Sequence, residues 1–469
     1  MHYLDLGIIV LFLLGLIGFG IVQGKKNLNL EDYFLGSRNL PWWAAMFSIV
    51  ATETSVLTFI SIPGLAYTKD WFFLQLALGY IFGRVLVSIF LLPVYFNNGV
   101  ISIYEVIGKR FGITLQKFSS FIFLITRVLA DGIRFLATAV IVQVISGWSI
   151  PLSVLIVGIV TIIYSLSGGI RAIILIDSFQ FILYLAGGLL SIGYILYVSD
   201  QSFFEYIAPA IAEGKTSIFH WEGTIFNNPW MVISAVFGGI FLSFSSHGID
   251  YMMVQRTLSC RTLGEAKKAM LGSGIVVFIQ FTVFLIVGTF LYQFYNGMPI
   301  DKDREFATFI VNDLPIGIKG ILLAGVLSAA MSTLSSSINS LASSTIIDWF
   351  KKNNNLVLSR IISLFWAIVL ISIALVFDEG DSAIVIVGLQ IASFTYGALL
   401  GLFILAKINK DFKPASIAEG LIVSIGFVLL LGQSGLAWTY YIACGVIINI
   451  VTVYIVEEIT ELFKEKKNF

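Results

Sequence analysis

Charge is scarce in this chain: 12% of the residues are Asp, Glu, Lys or Arg, while 58% are hydrophobic and the mean hydropathy is +0.94. Values so far from those of water-soluble domains define an integral membrane protein. The few charges balance, 28 basic against 28 acidic, so no general affinity for nucleic acid follows. Cysteine is nearly missing, and Cys260 and Cys444 supply neither a metal-ligand spacing nor a disulfide framework. No Gly-rich phosphate loop interrupts the apolar runs, so direct use of ATP is not expected. No nucleophile–base pair or metal-ligand cluster converges either, so an enzyme is not expected. Nor is there a soluble domain of useful size. The longest connection, Asp200 to Asn228, is polar and is expected to carry short amphipathic helices that cap an entrance.

Long apolar runs are what the chain has in abundance. They approach or exceed twenty residues, which suits spanning helices; barrel strands would be near ten residues and alternating. The fold class expected is therefore all-α and membrane-embedded. The first run, Leu6 to Val22, is preceded by an acidic flank and followed by Gly24-Lys25-Lys26, the reverse of a signal peptide, and is expected to be a retained helix. Thirteen spans are expected, at about 5–23, 41–67, 71–97, 114–147, 149–168, 171–199, 229–251, 266–296, 317–349, 356–377, 382–406, 415–432 and 434–456. Lys and Arg alternate strictly between the connections. One set, from Lys25, Lys26 and Arg38 through Arg256, Arg261 and Lys267 to the tail, outnumbers the other, Lys69, Lys215, Lys302, Arg304 and Lys319, by four to one. That asymmetry predicts a multi-pass protein of the cell membrane with the amino terminus outside and the carboxyl terminus cytoplasmic.

One stretch stands out for polarity. From Ser332 to Ser340, six of nine residues carry hydroxyls, and Ser332, Ser335, Ser336 and Asn339 fall at i, i+3, i+4 and i+7 on one helical face. Small hydroxyl residues can serve as packing contacts between helices. Oxygens in this number also suit a hard cation such as Na⁺. Both readings lead to an interior helix.

Two other spans are interrupted. In the second, Thr52, Glu53, Thr54 and Ser55 form a polar patch at mid-membrane, which suits an unwound segment facing a cavity. Back-bonded hydroxyls could absorb the threonines, but Glu53 needs a partner or a proton. In the seventh, Gly238-Gly239 precedes Ser243-Phe244-Ser245-Ser246-His247-Gly248-Ile249-Asp250. Two broken helices five spans apart are the pattern of an inverted repeat around a central site, and point to a transporter. His247 reads either as a solute contact or as a satisfied interior histidine. Asp177 lies inside the sixth span, where a carboxylate opposite the serine ridge would complete a cation cage. Arg127 and Arg134 lie seven apart with Asp131 between them: either an internal network fixing helix packing, or a network that leaves Arg134 free to clamp a carboxylate.

With these stretches, the chain resembles the sodium:solute symporter family. The resemblance rests on Asp32-Tyr33-Phe34-Leu35-Gly36-Ser37-Arg38, on Tyr104-Glu105 with Lys109-Arg110-Phe111-Gly112, on Ser167-Gly168-Gly169-Ile170-Arg171 through Asp177 and Gln180, on Gly248 with Gln255-Arg256, and on the serine stripe. It implies a leucine-transporter-like five-plus-five inverted repeat (about 41–199 and 229–408), one helix before it (5–23) and two after it (415–456). It implies sodium as the coupling ion, held by the carbonyls of Ala51, Thr54 and Ala329 and the hydroxyls of Ser332 and Thr333. A second sodium position is implied at Asp177, Ser332, Ser335 and Ser336. By analogy Ser55, Thr58, Gln75, Ser243, Ser246, His247 and Gln390 line the solute pocket, with Arg134 as the acid clamp. Glu53 lies outside the family pattern and is a possible coupling group. The expected function is sodium-coupled symport of a small organic solute, possibly bearing a carboxylate. The alternatives are proton coupling through Glu53 or Asp177, and an uncoupled channel or solute sensor on the same scaffold.

Overall fold

The computed structural model describes the backbone of residues 2–54, 56–301, 304–350, 355–376 and 384–467, with every side chain among these except Leu57, Ala137, 384–391 and 464–467. Within them the regular structure is helical, apart from an isolated bridge between Leu40 and Cys260. The helices that position the site are α1 (Tyr3–Gly24), α2 (Trp42–Glu53), α3 (Val56–Thr68), α4 (Phe73–Asn98), α5 (Ile113–Ser146), α6 (Ile150–Ser199), α7 (Val232–Ser246), α8 (Tyr251–Leu258), α9 (Leu263–Phe294) and α10 (Ile318–Ser344). They are followed by α11 (Leu356–Val376), α12 (Ile384–Lys407), α13 (Pro414–Leu431) and α14 (Tyr441–Lys467). Nine described helices are long and apolar enough to span a bilayer, and two bent pairs, α2 with α3 and α7 with α8, pass the same test together.

Both breaks have local causes. α2 ends at Glu53, where Thr54 turns extended (φ −88, ψ 96), and the axes of α2 and α3 diverge by 62°. A helix end leaves its last carbonyls without intrahelical donors, so this mid-membrane end exposes backbone oxygens such as that of Ala51 to whatever lies beside it. α7 and α8 diverge by 65°. Their joint falls at His247–Asp250, and the Asp250 carboxylate caps α8 by accepting from the Met252 amide at 2.9 Å. Gly238 and Gly239 stay helical. Their role is close approach: a Cβ on Gly239 would lie 2.2 Å from the Leu76 carbonyl of α4, and one on Gly79 of α4 would lie 2.3 Å from the Val236 carbonyl.

α6 runs for 50 residues but carries one non-helical residue, Gly169, at φ 62 and ψ −167. That conformation is open essentially to glycine alone. The Asn27 amide donates to the Gly168 carbonyl at 3.0 Å and satisfies part of the break.

Among the nine long described spans, the serine helix α10 is the most enclosed. In its most apolar window 94% of residues are buried, against 28% for α1 and 22% for α11. The hydroxyl ridge therefore faces protein on every side, which removes the unpaired polar surface a lipid-facing ridge would present. Its start is held by α1: Gly317 (φ +90) and Gly320 donate their amides to Asp5 Oδ1 at 2.8 and 3.0 Å. A buried carboxylate in the first turn of α1 thus caps the serine helix in trans.

Candidate solute and cation site

The first break brings Glu53 into contact with a partner that sequence reading overlooked. Arg84, fully buried on α4, pairs with Glu53 Oε2 and donates to Ser273 Oγ at 2.7 Å. Arg84 is itself a charge in mid-span, and that was the available signal: two isolated intramembrane charges of opposite sign need each other. His247 Nε2 approaches the same Glu53 oxygen at 3.5 Å, and its Nδ1 shares a hydrogen bond with Ser246 Oγ at 2.9 Å. Glu53 therefore ties the two broken helices together.

The second break is locked by a matching acid–arginine pair. Arg127 on α5 donates to Asp250 Oδ2 at 2.6 Å and to Asp131 Oδ1 at 2.6 Å. Tyr396 on α12 also donates to Asp250 Oδ2, at 2.5 Å. Arg134 stands apart. Its described ion pair is a long one, 3.6 Å to Asp131 Oδ1, and its side chain keeps 17% exposure where Arg127 keeps 4%.

Between the breaks lies a cavity. Glu53, Thr58, Arg134, Ser246, His247 and Asp250 contribute polar groups, and Phe73, Tyr80, Phe281 and Tyr396 supply aromatic walls. An apolar pocket with a few convergent polar groups is the usual form of a small-molecule site. Thr58, Arg134, Ser246 and His247, singled out by sequence, meet here. Gln75 lies elsewhere: its amide donates to the Phe72 and Trp230 carbonyls at 3.1 and 3.0 Å and its oxygen accepts from the His220 amide, pinning the loop before α7. Ser243 packs under Gly83, its hydroxyl buried without a hydrogen-bond partner. Ser55 and the Gln390 side chain lie outside the described residues.

The cation ligands expected from sequence lie where α2 meets α10. Thr52 Oγ1 contacts Ser336 Oγ at 3.3 Å, which sets Ser332 and Thr333 one turn further along α10 and Ala329 two. Thr54 joins its hydroxyl to the amide of Gln280, which also accepts from Tyr184 at 2.7 Å. Thr333 Oγ1 reaches the Ala329 carbonyl only at 3.4 Å, and Ser332 Oγ is buried with no hydrogen-bond partner.

Asp177, fully buried on α6, accepts at Oδ2 from Ser48 (2.7 Å) and, at longer range, from Thr52 (3.5 Å) and Arg256 (3.4 Å). Its Oδ1 is buried without a partner. The Asp177 carboxylate and the Ser332 hydroxyl beside it, neither with a close hydrogen bond at Oδ1 or Oγ, fit a hard cation by donor type. Arg256 complicates the second position. Counted with an inner connection in the sequence, it is in fact fully buried on α8 and also donates to Ser48 and Ser336. Ser335 turns its hydroxyl back to the Ser332 carbonyl at 3.1 Å.

Two helices broken in mid-membrane around a largely apolar cavity with a few convergent polar groups, beside a buried ridge of hydroxyls, define a gradient-driven membrane transporter. The family model of the sodium:solute symporter family matches residues 33–412, and the chain belongs to that family. It is 27% identical over 456 residues to the sodium/sialic acid symporter SiaT of Proteus mirabilis, covering 91% of this chain and 89% of that one. It is 27% identical to the human sodium/iodide cotransporter, covering 94% of this chain and 70% of that one. The solved structure of a Na⁺-coupled sialic acid symporter, substrate-bound and outward-open, superposes with a TM-score of 0.88 over 98% of both chains at 24% identity. The protein is a multi-pass, leucine-transporter-like secondary transporter that couples uptake of a small solute to sodium.

Proposed function

We propose that the solute is a small anion, carboxylate-bearing in the simplest case, held in the central cavity by Arg134 beside Thr58, Ser246 and His247. The observation that carries this is the incomplete pairing of Arg134: Arg127 and Arg84 each have close carboxylate partners, while Arg134 faces the cavity with one long contact. A planar guanidinium so placed suits a carboxylate. Two of the relatives support the reading, since sialic acid and iodide are both anions at neutral pH.

The coupling sodium sits between α2 and α10, on the carbonyls of Ala51, Thr54 and Ala329 and the hydroxyls of Ser332 and Thr333. A second sodium at Asp177, Ser332, Ser335 and Ser336 would share its carboxylate with Arg256, and like charges make that position the weaker. The cycle is alternating access over an inverted repeat of about 41–199 and 229–408. Thirteen spans follow if the bent pairs count once each, α6 divides at Gly169 and α12 crosses. The amino terminus is then outside and the carboxyl terminus cytoplasmic. Sodium entering from outside ties the break at Thr54 to α10 and favours the conformer with an ordered solute pocket; cytoplasmic release follows from low sodium and the membrane potential.

Uptake into proteoliposomes tests this. Sialic acid, proline, a hexose and a short monocarboxylate are offered with and without an inward sodium gradient at fixed pH. Sodium-dependent uptake of an acid that needs more sodium in Ser332→Ala and more solute in Arg134→Lys supports both assignments. Transport confined to the hexose would remove the role of Arg134. Uptake that ignores sodium and follows a proton gradient would overturn the sodium site.

A further inference from the structure

The geometry points to Asp131 as the residue through which sodium and solute sense one another, an inference that rests on the sodium site proposed above. Asp131 is 2% exposed, on α5, and its two oxygens face different parts of the machinery. Oδ1 meets Arg127 at 2.6 Å and Arg134, the cavity guanidinium, at 3.6 Å. Oδ2 accepts from Ser337 Oγ on α10. That same serine hydroxyl donates to the backbone carbonyl of Thr333 at 2.9 Å, one turn back along the helix; the hydroxyl of that residue is one of the proposed sodium ligands. Arg127 in turn holds Asp250, the cap of α8 at the second break, and Tyr396 of α12 holds the same carboxylate oxygen.

Hydrogen bonds therefore run from the sodium turn of α10, through Ser337, Asp131 and Arg127, to the second broken helix, and a longer ion pair of 3.6 Å joins Asp131 to the solute-facing Arg134. Ser337 carries one hydroxyl proton for three acceptors, the Thr333 carbonyl, Asp131 Oδ2 and the weak acceptor Met252 Sδ at 3.5 Å, so these bonds trade against one another. A cation that fixes the Ser332–Thr333 turn alters that balance. Asp131 transmits the change because both of its oxygens are engaged and its side chain is buried. Binding at one site thus biases the geometry at the other, which is what coupling requires. Asp131 and Ser337 are positioning residues here; neither touches sodium or solute.

The test uses sodium alone, so it does not depend on which solute is carried. Amide hydrogen exchange is followed in the full-length protein in lipid nanodiscs, in sodium chloride and in choline chloride. In the wild type, sodium slows exchange at the sodium turn (329–333) and also at the second break (249–253), the latter by about fivefold, the low end of a typical coupling factor. In Ser337→Ala and Asp131→Asn the protection at 329–333 persists while that at 249–253 disappears, and Ser337→Thr, which keeps the hydroxyl, restores it. If Asp131→Asn does not fold, Ser337→Ala alone decides. Protection at 249–253 that survives in Ser337→Ala, or that is missing from the wild type while 329–333 responds, overturns the relay. No response to sodium at 329–333 in the wild type would instead overturn the sodium site.

Discussion

Ser332 and Arg134 carry separate halves of the proposed chemistry, and each can be removed without the other. Ser332→Ala deletes one small buried hydroxyl beside the Asp177 carboxylate, which keeps its bond from Ser48, so folding is little affected. The expected result is a rise in the sodium concentration for half-maximal uptake, with solute affinity at saturating sodium unchanged; a sodium titration of uptake reads both. Arg134→Lys keeps the charge and loses the fork. The solute concentration for half-maximal uptake should rise about tenfold, the worth of one charged hydrogen bond, with the sodium dependence intact. Glu53 behaves differently because it is shared. Glu53→Gln leaves the fully buried Arg84 without its countercharge, and breaking such a pair costs about 3 kcal/mol. Thermal unfolding in detergent should show a clear loss of stability whatever happens to uptake. If Glu53→Gln is as stable as the wild type, its ion pair is not structural and the carboxylate is free for proton coupling. The sequence made Ser332, Asp177 and Arg134 visible because their polarity contradicts their surroundings. It hid the partner of Glu53, the burial of Arg256 and the loop-pinning role of Gln75, because each depends on a contact more than thirty residues away along the chain.

Among whole elements, the serine helix and the broken pairs were legible from pattern, since a polar run inside an apolar span can persist only where protein encloses it. Their joints were placed less sharply. In the seventh span Gly238-Gly239 read as a break and proved to be a contact surface, because a glycine pair serves equally for flexibility and for close approach, and only the neighbour distinguishes the two. Gly169 shows the opposite case. Its φ of 62 and ψ of −167 divide α6, and a Cβ there would lie 2.8 Å from the Tyr33 carbonyl and 3.1 Å from Asn27 Nδ2. Gly169→Ala therefore combines backbone strain with a clash against the segment joining α1 to α2. A loss of about 2 kcal/mol is expected, read as a lowered Tm. A variant with wild-type stability would show that the division of α6 is not fixed there.

For the molecule as a whole, the direction of transport depends on which face holds the basic connections. Inward sodium entry is favoured by roughly 2.3 kcal/mol per 100 mV for each charge carried, but only if the cavity opens to the outside on the side of the Asp200 to Asn228 connection. The bias of Lys and Arg predicts that this connection lies outside. Burial of Arg256 removes one residue from the inner set without disturbing the alternation, so the prediction stands on charges that do lie in connections. Glu222 in the outer connection and Lys268 at the start of α9 are both exposed, which makes them opposite-face probes. Of the two native thiols Cys260 is buried and Cys444 half-buried, so a Cys444→Ser background keeps unwanted labelling low. A membrane-impermeant maleimide should modify Glu222→Cys in intact cells and Lys268→Cys only after the membrane is opened. The reverse pattern would place the amino terminus inside and turn the cycle around, so that a sodium gradient of physiological sign would drive the solute out.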